Sequence, residues 1–375
     1  MLDRRSLLLA AGGLALGGVA HAEALDPACI PPPEFFTADP DNLQALVQRT
    51  RVPAVAGIVV TRSDVHWLGA AGVRQLDRPD QVTPEDNWHL GSNTKAMTAA
   101  LYARLVEAGD ARWDATMSEL FPQLRINPAY ASLPIERLLS HRAGIIDSPV
   151  YNNWLPHRYA DRRPVTEQRL ELARMFLERP PGAAIGTFHY SNVGFVIAGA
   201  AMEGILGSTW EEAMTARLFH PLQATSAGFG APGPDQPVPH SCMRPRPGYD
   251  NPLVHGPAGR VNVGLRDWGK FLQLFLNQGG ELLSPTSITK LTTPIRGPGD
   301  RYGLGWYVGP PPSRPWALGP SISHAGTNRT WHTTAIVAPE RGIAIAMATN
   351  TDPEGVRATE SLARGLIDKK LPPVT

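Results

Sequence analysis

Strand-like segments lie near both ends of this chain, and mostly helical segments lie between them. A segment far along the chain can join a sheet begun near the N-terminus only if the chain returns to it, so the helical middle has to be an insertion. Apolar runs of strand type predict strands at 54–60, 65–73, 302–308, 321–324, 331–337 and 343–349. Apolar residues at helical spacing predict helices at 43–49, 96–108, 133–139, 166–177, 192–205, 209–218, 265–276, 286–292 and 355–368.

This order of elements predicts an α/β (α+β) fold with one antiparallel sheet. The sheet is built from N- and C-terminal segments, is covered by helices, and carries an inserted all-helical domain. We expect the sheet domain to comprise residues 23–88 plus 267–375 and the helical domain residues 89–266. Clefts form where such parts meet, and residue 92 falls at the junction.

The segment Gly91-Ser92-Asn93-Thr94-Lys95 stands directly before the helix predicted at 96–108. Ser92 is expected at the start of that helix and Lys95 in its first turn, on one face. A buried lysine with a lowered pKa can take the proton of a serine hydroxyl and make it a nucleophile. Taken alone, the pattern also suits a capping serine with a solvent-facing lysine. Ser287-Ile288-Thr289-Lys290 has the same spacing, but it opens only a short polar helix and is interpreted as surface.

The N-terminus has the features of an export signal. Residues 1–22 contain paired arginines, a short apolar run and the small-x-small site Ala20-His21-Ala22. They predict a signal peptide, whose paired arginines suggest the twin-arginine route, and a mature protein in a bacterial periplasm or outside the cell. The apolar run is too short for a stable membrane span. Cys29 and Cys242 suit an oxidising compartment, and their pairing stays open.

Charge and spacing exclude several other classes of function. The formal net charge is +1, and no basic stripe points to nucleic acid as a partner. No histidine pair has the spacing of a zinc protease, so no metal is expected. The oligomeric state cannot be read from the sequence.

Two further segments offer the other parts that acyl transfer needs. Tyr190 and Asn192 stand just before and at the start of a predicted helix, where a phenol can exchange protons and an amide can donate and accept hydrogen bonds. His324-Ala325-Gly326-Thr327 ends a predicted strand, and its glycine lets backbone approach a ligand. The N–H groups of Thr327 and Ser92 could together hold an oxyanion.

The three motifs Ser92-x-x-Lys95, Tyr190-x-Asn192 and His324-x-Gly326, in this order, resemble those of the penicillin-recognising serine hydrolases. The resemblance is specifically to the branch that holds class C β-lactamases, DD-peptidases, D-aminopeptidases and related esterases. The stretches 138–145, 190–199, 257–259, 302–306 and 348–350 are also similar to that branch, and the likeness covers about 43–366.

The resemblance implies a β-lactamase/transpeptidase-like fold and a role for each motif residue. Ser92 would be acylated, Lys95 and Tyr190 would share the proton transfers, and the N–H groups of Ser92 and Thr327 would form the oxyanion hole. Asn192, His324 and Gly326 would bind substrate. Which of Lys95 and Tyr190 is the general base stays open, because coupled groups titrate as a pair.

The third motif departs from the pattern of the family, and this departure bears on the substrate. His324 stands where class C β-lactamases and most DD-peptidases carry a lysine, and histidine is mostly neutral at neutral pH. We therefore expect an exported, cofactor-free serine hydrolase that acts on an ester or amide, as a β-lactamase-related esterase or D-amino-acid peptidase. A true class C-like β-lactamase or a DD-carboxypeptidase is the alternative. A non-catalytic penicillin-binding-like sensor or scaffold is the alternative from another class.

Overall fold

A computed structural model describes residues 34–295, 300–309 and 315–373 of the chain. The predicted signal peptide at 1–22 and Cys29 lie outside the described residues, so the structure does not bear on them. Cys242 is disulfide-bonded.

The strands of the described residues are, in chain order, β1 (Ala54–Thr61), β2 (Val65–Gly72), β3 (Asn87–His89), β4 (Gly228–Phe229), β5 (His240–Ser241), β6 (Arg244–Pro245), β7 (Val261–Gly264), β8 (Tyr307–Gly309), β9 (Ser321–Thr327), β10 (His332–Ala338), β11 (Ile343–Thr349) and β12 (Thr351–Asp352).

The α-helices of the same residues are α1 (Leu43–Thr50), α2 (Thr94–Glu107), α3 (Met117–Leu120), α4 (Pro128–Ala131), α5 (Glu136–Leu139), α6 (Pro149–Trp154), α7 (Val165–Leu177), α8 (Asn192–Leu206), α9 (Trp210–Met214), α10 (Gly256–Gly259), α11 (Leu265–Leu276), α12 (Pro285–Thr292) and α13 (Gly355–Lys369). Shorter 3₁₀ turns include Gly91–Asn93 before α2 and Leu253–His255 before α10, and a π-helical turn at Thr215–Phe219 follows α9.

One six-stranded sheet joins the two ends of the chain, as the strand pattern predicts. Its order is β2-β1-β11-β10-β9-β8, and every neighbouring pair is antiparallel. β1 pairs with β11 in the register Val55↔Thr349 to Thr61↔Ile343, so the N-terminal strands β2 and β1 continue the sheet that the C-terminal strands form. The prediction of one sheet assembled from N- and C-terminal segments is confirmed.

Alternate residues of the central strands bury opposite faces of this sheet, because side chains of a strand point alternately to its two sides. Ala56 and Ile58 of β1 face the larger core, which includes α2, α8 and α11. Val55 and Val59 face a smaller core under the terminal helices α1 and α13. The central strands are therefore buried on both faces.

The structure corrects the predicted strand at 302–308. Residues 302–306 form a turn in which the Gly303 N–H donates to the Trp306 carbonyl, and the strand β8 begins only at Tyr307. Gly305 has a φ of +80°, a conformation that suits glycine and interrupts a strand. β9 in turn runs three residues beyond the predicted end, to Thr327.

Two small sheets were not predicted. β3, β7 and β4 form one, in that order, and β12, β5 and β6 form the other. Their strands are two to four residues long, too short to show an alternating pattern. The first sheet matters for function, because β3 leads directly into the turn that carries Ser92.

Within the described residues, no single helix is both long and apolar enough to cross a membrane. Two consecutive helical segments, Asn192–Leu206 and Trp210–Phe219, are long and apolar enough only when they are counted together. The chain bends by 80° between them.

Candidate active site

Ser92 lies on a 3₁₀ turn that two glycines allow to lie against strand β9. Gly91 has a φ of +51°, and a Cβ added to it would come within 2.5 Å of the Thr327 nitrogen. A Cβ on Gly326 would lie 2.0 Å from the Leu90 carbonyl oxygen and 2.8 Å from the Ser92 nitrogen. Only glycine permits this approach of two backbones. Helix α2 begins at Thr94, so Ser92 precedes the helix by two residues.

Lys95 is fully buried, and its amine is held by three partners. The Nζ atom lies 2.9 Å from Ser92 Oγ, 2.8 Å from Asn192 Oδ1 and 2.7 Å from the Ala258 carbonyl oxygen. Burial lowers the pKa of Lys95 to about 7, and the negative charge of Asp147 opposes that shift. The amine can therefore lose its proton near neutral pH and accept the proton of Ser92.

Tyr190 stands on the loop before α8, and its phenol is near enough to the Ser92 hydroxyl to interact with it. Its ring centroid lies 4.9 Å from Lys95 Nζ. Burial raises the pKa of Tyr190, and the interaction with Ser92 opposes the shift only in part. The phenol therefore keeps its proton at neutral pH and suits a proton donor better than a base.

Asn192 is the first residue of α8, and Asp147 fixes its side chain. The Asn192 Nδ2 atom donates to Asp147 Oδ2 at 2.8 Å, which leaves Oδ1 facing the Lys95 amine. Asp147 also accepts from the Asn192 and Val193 N–H groups and from the Ser191 hydroxyl. It therefore caps the helix and orients the amide.

The end of strand β9 adjoins the serine turn through backbone and side-chain contacts. The Thr333 hydroxyl of β10 donates to the Leu90 carbonyl at 2.9 Å, which joins the sheet to the turn. Thr327 is exposed, and its hydroxyl donates to Asp352 of β12 at 3.0 Å. The backbones of Ser92 and Thr327 lie side by side, as an oxyanion hole requires.

His324 is part of a buried hydrogen-bonded bridge with Tyr302 and His141. The Ser191 N–H donates to His141 Nδ1 at 3.0 Å, so the proton of this ring is on Nε2, which lies 3.2 Å from the Tyr302 hydroxyl. The Tyr302 hydroxyl lies 3.2 Å from His324 Nε2, and His324 Nδ1 lies 2.7 Å from the Ala325 carbonyl. One assignment of protons satisfies every hydrogen bond of this bridge: His141 donates to Tyr302, Tyr302 donates to His324, and His324 donates to the Ala325 carbonyl.

Both ring nitrogens of His324 are thus engaged inside the protein, and the ring is neutral. Burial, with the nearby Lys95 charge, lowers the pKa of His324 to about 3. The pKa of His141 is lowered well below its ordinary value, also chiefly by burial. The third motif consequently provides no permanent cation to the cleft.

The structure brings Ser92, Lys95, Tyr190, Asn192 and the segment from His324 to Thr327 together. Ser92, Tyr190 and Asn192 are half-buried, whereas Lys95 is closed off, so the nucleophile faces solvent and its base does not. Within the described residues, no group of three or more His, Cys, Asp or Glu side chains could hold a metal ion.

Sequence reasoning missed Asp147 and the role of Tyr302. Tyr302 belongs to the stretch 302–306 that resembles the family, whereas Asp147 lies two residues beyond the stretch 138–145. A lone carboxylate or phenol carries no motif of its own. The interpretation of Ser287 as surface was wrong. Ser287 is buried, and its hydroxyl donates to Glu107 at 2.5 Å, while Lys290 pairs with Glu136 at 2.6 Å.

A serine hydroxyl beside a buried amine and a phenol, at the edge of an antiparallel sheet covered by helices, defines a serine hydrolase site of the β-lactamase fold. The comparisons with known proteins agree. A model of the Beta-lactamase family matches residues 40–368, and the chain belongs to that family of serine hydrolases.

Individual relatives are distant. Penicillin-binding protein 4 of Amycolatopsis lactamdurans is 27% identical over 346 residues, which cover 83% of this chain and 84% of that protein. Esterase EstB of Burkholderia gladioli is 28% identical over 238 residues, or 58% of this chain and 59% of the esterase. The solved structure of the octameric penicillin-binding protein homologue from Pyrococcus abyssi has a TM-score of 0.71 at 24% identity, covering 88% of this chain and 78% of that one.

Proposed function

We propose that the protein is an exported hydrolase that cleaves an ester or an amide through an acyl-enzyme on Ser92. The observation that carries this proposal is the 2.9 Å contact between Ser92 Oγ and the amine of Lys95, whose burial lowers its pKa to about 7. A fully buried amine held against a half-exposed hydroxyl has the geometry of a nucleophile and its base. A protein that only binds its ligand has no need of an activated nucleophile.

In the proposed acylation step, Lys95 accepts the proton of Ser92 while Ser92 Oγ bonds to the substrate carbonyl carbon. The pKa directions favour Lys95 over Tyr190 as the acceptor, because burial makes the neutral form of both groups the stable one. Neutral lysine is a base, whereas neutral tyrosine is an acid. The oxyanion that forms would be held by the N–H groups of Ser92 and Thr327, each worth about a hundredfold or more in rate.

Collapse of the tetrahedral intermediate breaks the bond to the leaving oxygen or nitrogen, which takes a proton from Tyr190. The proton that Lys95 gained can return to Tyr190, since the amine lies 4.9 Å from the ring centroid and both groups contact Ser92. Water then attacks the acyl-enzyme, with the same groups acting in reverse order. The substrate gains the elements of water, and the enzyme regains its starting protons.

Substrates without a carboxylate next to the scissile bond suit this site best. A lysine at position 324 would attract such a carboxylate, but neutral His324 has both nitrogens in internal hydrogen bonds. This favours an esterase or a peptidase for D-amino-acid amides over a β-lactamase or a DD-carboxypeptidase. The similarity to Esterase EstB supports the same choice.

The chain provides its own control for a test of the nucleophile. Ser287 also stands in a Ser-x-x-Lys sequence, but its hydroxyl is committed to Glu107 and its Lys290 to Glu136. Hydrolysis of a p-nitrophenyl ester should fall to background in S92A and continue in S287A. Equal activity in S92A and in the unmodified protein would overturn the proposal.

A panel of substrates ranks the alternatives. Nitrocefin, a p-nitrophenyl ester and a D-alanyl amide should be assayed side by side with one protein preparation. We expect the highest kcat/KM for the ester or the D-alanyl amide. Nitrocefin as the best substrate would favour a β-lactamase, and turnover of none would favour the penicillin-binding-like sensor or scaffold.

A further inference from the structure

Asp147 lies outside the three motifs, yet its carboxylate makes four hydrogen bonds at the start of α8. It accepts from the Ser191 hydroxyl at 2.9 Å, from the Asn192 N–H at 3.0 Å, from Asn192 Nδ2 at 2.8 Å and from the Val193 N–H at 3.1 Å. All four partners are donors, so the carboxylate acts purely as an acceptor. A helix cap needs only one or two of these bonds.

The additional bond, to Asn192 Nδ2, decides which way the amide faces. An asparagine side chain can turn its oxygen or its nitrogen toward a neighbour. Because Asp147 takes the nitrogen, the oxygen faces Lys95 Nζ at 2.8 Å. The reverse orientation would set two donors against each other whenever Lys95 is protonated.

The charge of Asp147 has a separate effect on the same amine. Helix α8 is 15 residues long, and the positive end of its dipole lies where Asn192 meets Lys95. The titratable groups around the amine are otherwise the neutral rings of His141, His255 and His324 and the phenol of Tyr190. Among the described residues, Asp147 provides the attraction that raises the pKa of Lys95 against burial.

We propose that Asp147 is a positioning residue of the acyl-transfer site: it fixes the Asn192 amide with its oxygen toward Lys95, and its charge balances the positive charge that Lys95 gains when Ser92 is acylated. This inference rests on the proposed function for its second half. Its first half, the fixing of the Asn192 amide toward Lys95, and the effect of the Asp147 charge on the resting amine hold whether or not the protein turns over a substrate.

The test measures the protonation of the Lys95 amine directly by NMR. The chain contains only five lysines, at 95, 270, 290, 369 and 370, so protein labelled with ¹³C at lysine Cε gives few signals. The Lys95 signal is assigned by its loss in K95M. In the unmodified protein it should titrate near pH 7. In D147N, which removes the charge and lets the amide turn, the titration should move to lower pH.

Two matched variants separate this effect from capping. S191A removes one hydrogen bond to Asp147 and the side-chain cap on the Gly194 N–H but keeps the charge, so it should lower Tm without moving the Lys95 titration. D147E keeps the charge and should titrate like the unmodified protein. If D147N does not fold, D147S removes the same charge with a smaller side chain, and its Lys95 titration should also move to lower pH.

Activity provides an independent readout. With a p-nitrophenyl ester, the plateau of kcat/KM in D147N should fall about tenfold to a hundredfold, and the acidic limb of its pH profile should move to lower pH. A merely structural role would lower the plateau and leave the limb in place. An unshifted Lys95 signal in folded D147N or D147S overturns the inference, whereas a shifted signal in an inactive protein upholds it and overturns only the proposed function.

Discussion

The residue that sets the chemistry of this site is Lys95, a lysine with no exposed surface that contacts a serine hydroxyl. Burial disfavours its ammonium form, while the Asn192 and Ala258 oxygens and the charge of Asp147 favour it. The balance places its pKa at about 7. A serine motif alone cannot reveal this balance, because the opposing groups come from distant segments.

The pH dependence of activity follows from that pKa. Lys95 must be neutral to accept the proton of Ser92, so kcat/KM for a p-nitrophenyl ester should rise as pH increases through about 7. K95R should lower kcat/KM about a thousandfold or more at every pH, because a guanidinium stays protonated. A profile that is flat between pH 6 and 8 would contradict this role of Lys95.

Tyr302 gives a second prediction at the scale of one residue. Its hydroxyl joins His141 and His324, and Y302F would leave two buried ring nitrogens without their partner. We expect the free energy of unfolding in urea to fall by about 2 kcal/mol.

Tyr307 is the matched control for Y302F. Its ring packs against Tyr302 and His324 at centroid distances of 4.8 and 5.5 Å, but it takes no part in the bridge. Y307F should change stability much less than Y302F. Equal losses in the two variants would show that ring packing, and not the bridge, holds this region.

At the scale of elements, the turn at Gly91–Asn93 and the end of β9 depend on each other. Gly326→Ala would place a Cβ against the Leu90 carbonyl and the Ser92 nitrogen, so the two backbones would have to separate. We expect kcat/KM to fall about a hundredfold or more, because the oxyanion donors move apart.

Gly204→Ala is the control for this prediction. Gly204 lies near the end of α8 and has nothing within 4 Å of an added Cβ, so alanine should stabilise the helix by about 0.5 to 1 kcal/mol and leave kcat/KM unchanged. Full activity in G326A would contradict the proposed oxyanion hole.

Elements with a long periodic pattern could be predicted from the sequence, and short ones could not. β1 and β11 are continuous apolar runs buried on both faces, and the predicted ranges agree with their observed bounds almost to the residue. β3 and β7 have three and four residues, so their pairing depends on contacts between segments far apart in the chain. The turn at 302–306 was missed because its aromatic and leucine residues are typical of a strand, although Gly303 and Gly305 interrupt them.

Some residues of the candidate site could likewise be predicted from the sequence, and others could not. Ser92, Lys95, Tyr190 and Asn192 could be found because fixed spacing and order carry a signal. Asp147 and Tyr302 could not, because their role is defined by atoms they meet in space. The domain boundaries at 88 and 266 and the predicted export signal remain predictions.

At the scale of the whole molecule, the buried lysine makes stability depend on pH. Its pKa is about 7 when folded and near the ordinary 10.5 when unfolded, so between these values the unfolded chain binds more protons. The free energy of unfolding should therefore rise with pH in this window. Between pH 7 and 9 the rise should be about 2 kcal/mol larger than in K95M. Parallel curves for the two proteins would contradict a lowered pKa.

The fold brings segments from the beginning, middle and end of the chain into one cleft. The serine turn follows β3, the tyrosine loop precedes α8, and β9 belongs to the C-terminal half of the sheet. The cleft can therefore form only when the whole domain has folded, and an active-site label reports on the complete structure.

The most direct test of the central claim is the mass of the protein after incubation with a fluorophosphonate. We predict a single covalent adduct per chain, mapped to the peptide that contains Ser92, present in S287A and absent in S92A. No adduct, or an adduct that persists in S92A, would contradict the assignment of Ser92 as an activated nucleophile.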